Sequence, residues 1–403
     1  MDQIKLKGIH EPSLLTLLLL VSYPSVGAVL FTPALPSIAE YFLISNGMAQ
    51  LTITLFLIGY AFGQLPYGPI SNKIGRKPTL YIGICLSILG SLLCAASESL
   101  DLFGLILAAR IFTALGASVG LMMTFTIVSD YYEPTAARQK LAFVILAFAI
   151  APNAAVTLGG FLTQYIGWQS TFYFEALYGI FLIFLCMKLP ETNRELSKEP
   201  LNLNFVIESY FKNCRNPKLF LCGLIMGCCT AFVYIYAAKA PFLAIHELNI
   251  SPSLYGLLNL LPAAAMILGS YLSFRTAHHI SPHRSILYGL SFLMLPGTIA
   301  MVIAFGSDSF NLWTLFVPYC VMNVGITLAY INCPAIGTSH AKNKANGSAI
   351  LAFLNISVCV IMVFVLELID SSAPMIMPIL FAALLLMLYP LYIALEHLIR
   401  KDA

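Results

Sequence analysis

Two cations and one acid are the residues of this sequence best placed to do chemistry. Of its 21 Lys and Arg residues, all but Arg110 and Lys239 fall on one side of a ladder of apolar segments. A charge inside an apolar run is expensive and by default marks function. An arginine and a lysine facing one another would clamp an anion: the guanidinium grips a carboxylate or phosphate through two parallel hydrogen bonds, and the ammonium acts as a point charge. Both residues also have structural readings. Arg110 can pair with Glu175 or with carbonyls at a helix break, and Lys239 can snorkel to the surface from the end of its segment. Glu175 is the clearest acid within an apolar run. A carboxylate held between desolvation and opposing cations can change protonation when substrate arrives, although a fixed ion pair with Arg110 or a neutral, hydrogen-bonded acid fits as well. Asp130 is a second candidate for proton coupling; its place at the end of an apolar run also suits an ion pair with Arg76 or Arg138.

Aromatic and amide side chains supply a candidate cavity lining, with Phe31, Tyr60, Tyr234, Tyr236, Asn153 and Asn332 as the substrate contacts. An Asn within hydrocarbon also serves helix association. His278, His279 and His283 stand close together without matching carboxylates or cysteines, so a solvated loop is expected and no metal. The ten cysteines lie almost wholly within apolar runs and read as free thiols packed as small apolar residues. No Walker loop is found, so ATP does not drive the protein. No hydrolase constellation or cofactor motif stands out, and an enzyme is not expected.

The elements that position these residues are membrane spans. The chain has 403 residues, 59% hydrophobic and 10% charged, with mean hydropathy +0.87. About 20 apolar residues cross a bilayer as a helix. Twelve such runs occur, at approximately 14–36, 47–67, 79–97, 102–128, 139–165, 168–188, 218–244, 253–274, 285–305, 311–335, 346–369 and 373–396. Their continuous apolarity excludes a β-barrel. The fold class is therefore all-α, twelve transmembrane helices in two six-helix pseudo-symmetric bundles. The polar stretch 189–217 divides the chain into an N-terminal bundle, 1–188, and a C-terminal bundle, 218–403. The basic residues place both termini, the 189–217 connector and the 68–78, 130–140, 275–284 and 336–345 loops in the cytoplasm. Net charge +3 is thus an orientation signal and not a mark of nucleic-acid binding. The first apolar run lacks a small-residue cleavage site and is read as a retained span. Proline interruptions recur at corresponding places, Pro33 and Pro36 at the end of span 1 and Pro241 and Pro252 around the end of span 7. Such paired interruptions point to a transporter built from repeats.

Between spans 2 and 3 the sequence reads Gly68-Pro-Ile-Ser-Asn72-Lys73-Ile-Gly75-Arg76-Lys77-Pro78. It resembles the signature loop of the major facilitator superfamily. Glycines there allow close approach, and the bases latch onto carboxylates or helix C-termini at a rocking joint. Thr32-Pro33-Ala34-Leu35-Pro36, the segment led by Arg110, Ala151-Pro152 with Gly159-Gly160, Tyr234-Ile235 through Pro241-Phe242, and Asn346-Gly347-Ser348-Ala349 narrow the likeness. They resemble the drug:proton antiporter branch, and within it the bicyclomycin/chloramphenicol-resistance type. The resemblance implies alternating access, a central cavity and coupling to protons.

The sequence departs from that pattern at several places. Val29 stands where the group usually has an aspartate, Asn72 replaces the signature acid, Thr113 replaces a glutamine, Val156 replaces a second proline, and Lys239 fills a small or polar position. The expected function is a monomeric secondary transporter of the bacterial inner membrane that exports drug-like small molecules in exchange for protons. A carrier of an anionic metabolite, such as an organic acid or polycarboxylate siderophore, is the first alternative, motivated by Val29 and Lys239. A ligand receptor or scaffold that moves nothing is the second.

Overall fold

Hydrocarbon offers no partner for backbone N–H and C=O groups, so a chain of this composition must satisfy them within helices. The computed structural model describes residues 10–193, 216–276, 279–307, 310–337, 344–368 and 373–401, and among them every regular element is helical. Among the described residues ten helical segments have the length and apolarity to cross a membrane: Leu14–Tyr41 (α1), Asn46–Ile74 (α2), Arg76–Ala96 (α3), Phe103–Tyr131 (α4), Gln169–Met187 (α6), Pro217–Glu247 (α7), Pro252–Thr276 (α8), Pro282–Gly306 (α9), Leu312–Gly337 (α10) and Ile376–Lys401 (α12). Pro134–Tyr165 (α5) and Lys344–Leu368 (α11) bring the span-length helices among the described residues to twelve.

Prolines shape these segments more subtly than by ending them. In α1 the regular helix closes at Val29, a 3-10 turn follows over Thr32–Ala34, and helix resumes over Leu35–Tyr41. Pro33 and Pro36 open the last two pieces, where a missing N–H costs nothing and the fixed φ is already helical. The stretch 68–78, expected as a loop, is almost entirely helix. α2 runs through Pro66 and Pro69 to Ile74, so Gly68, Asn72 and Lys73 are helical. The Ser71 hydroxyl donates to the Gly68 carbonyl at 2.9 Å, and Gly75 N–H donates to the Ser71 carbonyl at 3.1 Å. Only Gly75 breaks the path; its φ of 99° lies where a side chain is strained and glycine is not. Likewise α7 continues past Pro241 into a π-helical turn over Leu243–Glu247.

The chain forms two compact units. One comprises Met1–Asn202 with Ser251–Gly256, the other Leu203–Ile250 with Leu257–Ala403. In the first, α4 packs against α2 and α3, α3 against α6, and α1 against α5. In the second, α7 packs against α10, α11 and α12, while α8 and α9 lean on α10.

Candidate functional site

Arg110 is fully buried in the first unit, at 0% exposure. Three elements converge on it. From α1, the Gly27 carbonyl accepts from Nη2 at 2.8 Å. Gly27 lies in the last turn before the break at Val29, where helical carbonyls are left to outside donors. From α2, the Thr52 carbonyl accepts from Nε at 3.3 Å. The rings of Phe31 and Phe56 lie 4.1 and 4.2 Å from the guanidinium carbon, and an aromatic face attracts a cation most where water is excluded. From α6, Glu175 Oε2 stands 3.7 Å from Nη1, and Glu175 is itself 1% exposed. The position that the group's span 1 aspartate would occupy is Val29, which is also buried. The carboxylate facing Arg110 therefore comes from the sixth helix.

The other residues expected at the site divide between the units. In the first, Phe31 is a face of the arginine cage, Tyr60 is buried, and Asn153 is half-buried on α5. In the second, Lys239 is 2% exposed on α7, one turn beyond Tyr236. Tyr236 stacks on Tyr319 with centroids 3.5 Å apart, Tyr319 stacks on Phe381, and Phe232 packs on the same ring. Tyr234 is half-buried. Asn332 donates to the Ser273 hydroxyl at 3.2 Å and to the Leu328 carbonyl at 2.9 Å, tying α10 to α8.

The signature residues build a polar clasp at one end of the first unit. Arg76 Nε donates to Asp130 Oδ2 at 3.0 Å, and its Nη1 donates to Ser71 Oγ and Asn72 Oδ1 at 2.8 and 2.7 Å. Asp130 thus sits in an ion pair with Arg76. Lys77 Nζ donates to the Met187 carbonyl at the end of α6 at 3.0 Å, a favourable place for a cation. Lys73 is exposed in the last turn of α2, and no atom stands within 4 Å of a Cβ built on Gly68.

Sequence reasoning assigned no role to the three residues that close this clasp. Glu191 accepts from the backbone N–H of Arg76, Lys77 and Asn193 at 2.9, 3.0 and 2.9 Å, capping the start of α3. Thr192 donates to Asp130 Oδ2 at 3.0 Å, and Asn193 Nδ2 donates to the Ser71 and Asn72 carbonyls. The available signal was an acid just past one helix end together with a helix start that has no capping side chain of its own. At the same end, Tyr132 and Lys140 both donate to Glu11 Oε1, at 2.7 and 3.3 Å. The Tyr132 hydrogen bond holds the Glu11 carboxyl below its ordinary range, with partial burial opposing and Lys140 reinforcing.

His278 and Arg138's side chain lie outside the described residues, and among those described no three His, Cys, Asp or Glu side chains gather as metal ligands. The nine described cysteines are free thiols; Cys214 is not among them.

A bundle of span-length helices with an ion pair in its core is built as a membrane carrier. The chain belongs to the Major Facilitator Superfamily, whose family model matches residues 15–366, and it is a transporter rather than an enzyme. It is 26% identical over 325 residues to multidrug resistance protein D of Escherichia coli, covering 79% of this chain and 78% of that protein. It is 24% identical over 291 residues to a bicyclomycin resistance protein homolog of Haemophilus influenzae, covering 70% and 71%. The fold matches the inward-open xylose transporter XylE from E. coli with TM-score 0.73 at 14% identity, over 96% of this chain and 98% of that one. The resemblance read from the motifs thus agrees with the names its relatives carry.

Proposed function

We propose that this transporter exports drug-like small molecules in exchange for protons. It would work by alternating access, as a monomer in the bacterial inner membrane with both termini cytoplasmic. The observation that carries the reading is the Arg110–Glu175 pair, 3.7 Å apart and sealed from solvent. Charged, Glu175 is attracted to Arg110. On taking up a proton it loses that attraction, while Arg110 keeps the Gly27 and Thr52 carbonyls and both rings. The pair is then a two-state element whose balance a proton shifts, which is what coupling requires. The clasp of Arg76, Asp130 and Glu191 is the proposed conformational latch, and the half-buried Asn153 and Tyr234 are the proposed substrate contacts on their respective units.

The anion-carrier reading is not favoured, because Arg110, one of its two cations, already faces a carboxylate. The export reading is tested in everted membrane vesicles. Adding bicyclomycin or a lipophilic cation to energised vesicles should dissipate an imposed pH gradient. The same vesicles carrying Glu175→Gln should hold it. A gradient untouched by neutral antibiotics and cations, yet collapsed by small polycarboxylates, would reinstate the anion carrier.

A further inference from the structure

The second unit carries a chain of neutral hydrogen bonds that neither the ion pair nor the clasp uses. On α7, Gly223, Gly227, Thr230 and Tyr234 recur at helical spacing along one stripe. The two glycines let α11 come close. A Cβ built on Gly223 would fall 2.7 Å from the Leu354 side chain, and one on Gly227 would fall 3.0 Å from the Asn355 carbonyl oxygen. That approach seats the next residue of the stripe against α11, where the Thr230 hydroxyl donates to Asn355 Oδ1 at 2.6 Å. On its other side Asn355 Nδ2 donates to the Tyr330 hydroxyl of α10 at 3.4 Å.

The lengths give this chain a direction. The 2.6 Å bond suits an O–H donor and is short for a nitrogen donor, whose bonds run from about 2.7 to 3.2 Å. The amide oxygen therefore faces Thr230, and the amide nitrogen faces Tyr330. A phenol that accepts from an amide keeps its own proton for another acceptor. Among the described residues the Tyr330 hydroxyl makes only the bond to Asn355.

The surroundings suit an uncharged ligand group. Cys229 and Cys333 are the titratable side chains acting on the phenol, and both are free thiols. Tyr330 lies deep within the unit, yet it is only half-buried, as are Thr230 and Tyr234. Polar groups turned towards hydrocarbon are costly, so their open side borders an interior space and not lipid. Asn355, at 6% exposure, is the packed centre of the chain. Helix association would need only the Thr230–Asn355 contact; it gives the remaining O–H of Tyr330 no task.

We propose that Tyr330 is a specificity-determining substrate contact, its phenol donating to an uncharged acceptor oxygen of the transported molecule. A carbonyl, ether or hydroxyl oxygen fits that donor. Asn355 and Thr230 are positioning residues, which hold the amide in the orientation that leaves the phenol proton available. The inference rests on the drug-export reading and names the chemistry that the second unit selects.

The test is equilibrium binding of two labelled probes to the purified full-length protein. Bicyclomycin is rich in hydroxyl and carbonyl oxygens, whereas tetraphenylphosphonium is a lipophilic cation with none. Tyr330→Phe keeps the ring and removes the donor. It should weaken bicyclomycin binding about fivefold to tenfold, the worth of one neutral hydrogen bond, and leave tetraphenylphosphonium binding unchanged. Thr230→Val and Asn355→Leu should weaken bicyclomycin selectively in the same direction, and Thr230→Ser should keep wild-type affinity. Bicyclomycin binding that survives in Tyr330→Phe, or an equal loss for both probes, overturns the contact and leaves drug export standing. A wild type that binds the cation alone does the same. A wild type that binds neither probe overturns the export reading as well.

Discussion

Removing the charge of Glu175 while keeping its shape isolates the central interaction. At an effective dielectric constant near 20, opposite unit charges separated by 3.7 Å attract by roughly 4–5 kcal/mol. Glu175→Gln forfeits that attraction and strands a buried cation, a change that ordinarily costs about 3–5 kcal/mol. Arg110 keeps two carbonyl bonds and two aromatic faces, and each face contributes up to about 2 kcal/mol when desolvated. The net loss should be about 2–3 kcal/mol. For a unit of some two hundred residues that lowers Tm by roughly 5–10 °C. The assay is a double-mutant cycle on detergent-purified protein, read by thermal unfolding. The second variant, Arg110→Met, removes the stranded cation, and replacing a whole buried pair by apolar groups is often neutral. The double variant should therefore be more stable than Glu175→Gln alone, with a coupling of at least about 2 kcal/mol. Losses that simply add would refute the reasoning, since they would mean that the two side chains do not feel one another.

Four further outcomes follow from the same geometry. Phe31→Leu or Phe56→Leu should each cost about 1–2 kcal/mol by removing one face of the arginine cage, measured by the same unfolding assay. Glu191→Ala should cost about 1–2 kcal/mol as a lost helix cap and should raise the labelling rate of a cysteine introduced at Asn72. Gly75→Ala must adopt a positive φ and brings a Cβ to 2.8 Å from Glu191 Oε2, so transport should fall together with stability, by about 1–3 kcal/mol. Glu11 has a folded-state pKa below its ordinary value of 4.5. Its contribution is therefore present above that value and lost as pH falls through the lower, folded one. Glu11→Gln should remove that acid-limb dependence and, at this half-exposed site, cost less than about 1 kcal/mol at neutral pH.

Much of the architecture was legible because membrane spans are dictated by local composition. The observed helices begin and end within about five residues of the apolar runs, apart from α2, which continues beyond its run through Pro69 to Ile74. That extension escaped detection because a proline penalises one turn, whereas packing and Ser71-type side-chain bonds act from outside that turn. Arg110 and Glu175 were each visible as charges in apolar runs, and their pairing was one of the readings left open. What sequence could not supply was the rotation of one helix against another. Ser87 and Ser91 share a face of α3 by spacing alone, yet nothing local shows that this face meets Tyr23 and Glu175. The Glu191–Thr192–Asn193 clasp stayed hidden for the same reason, since its partners lie more than 60 residues away in sequence.

The most direct test is transport by purified protein in liposomes under an imposed pH gradient, comparing the wild type with Glu175→Gln. The account predicts gradient-driven accumulation of bicyclomycin or a lipophilic cation by the wild type. It predicts that Glu175→Gln loses that accumulation while exchanging labelled for unlabelled substrate at a near-normal rate. Accumulation that survives in Glu175→Gln would contradict the assignment of the proton to this buried acid.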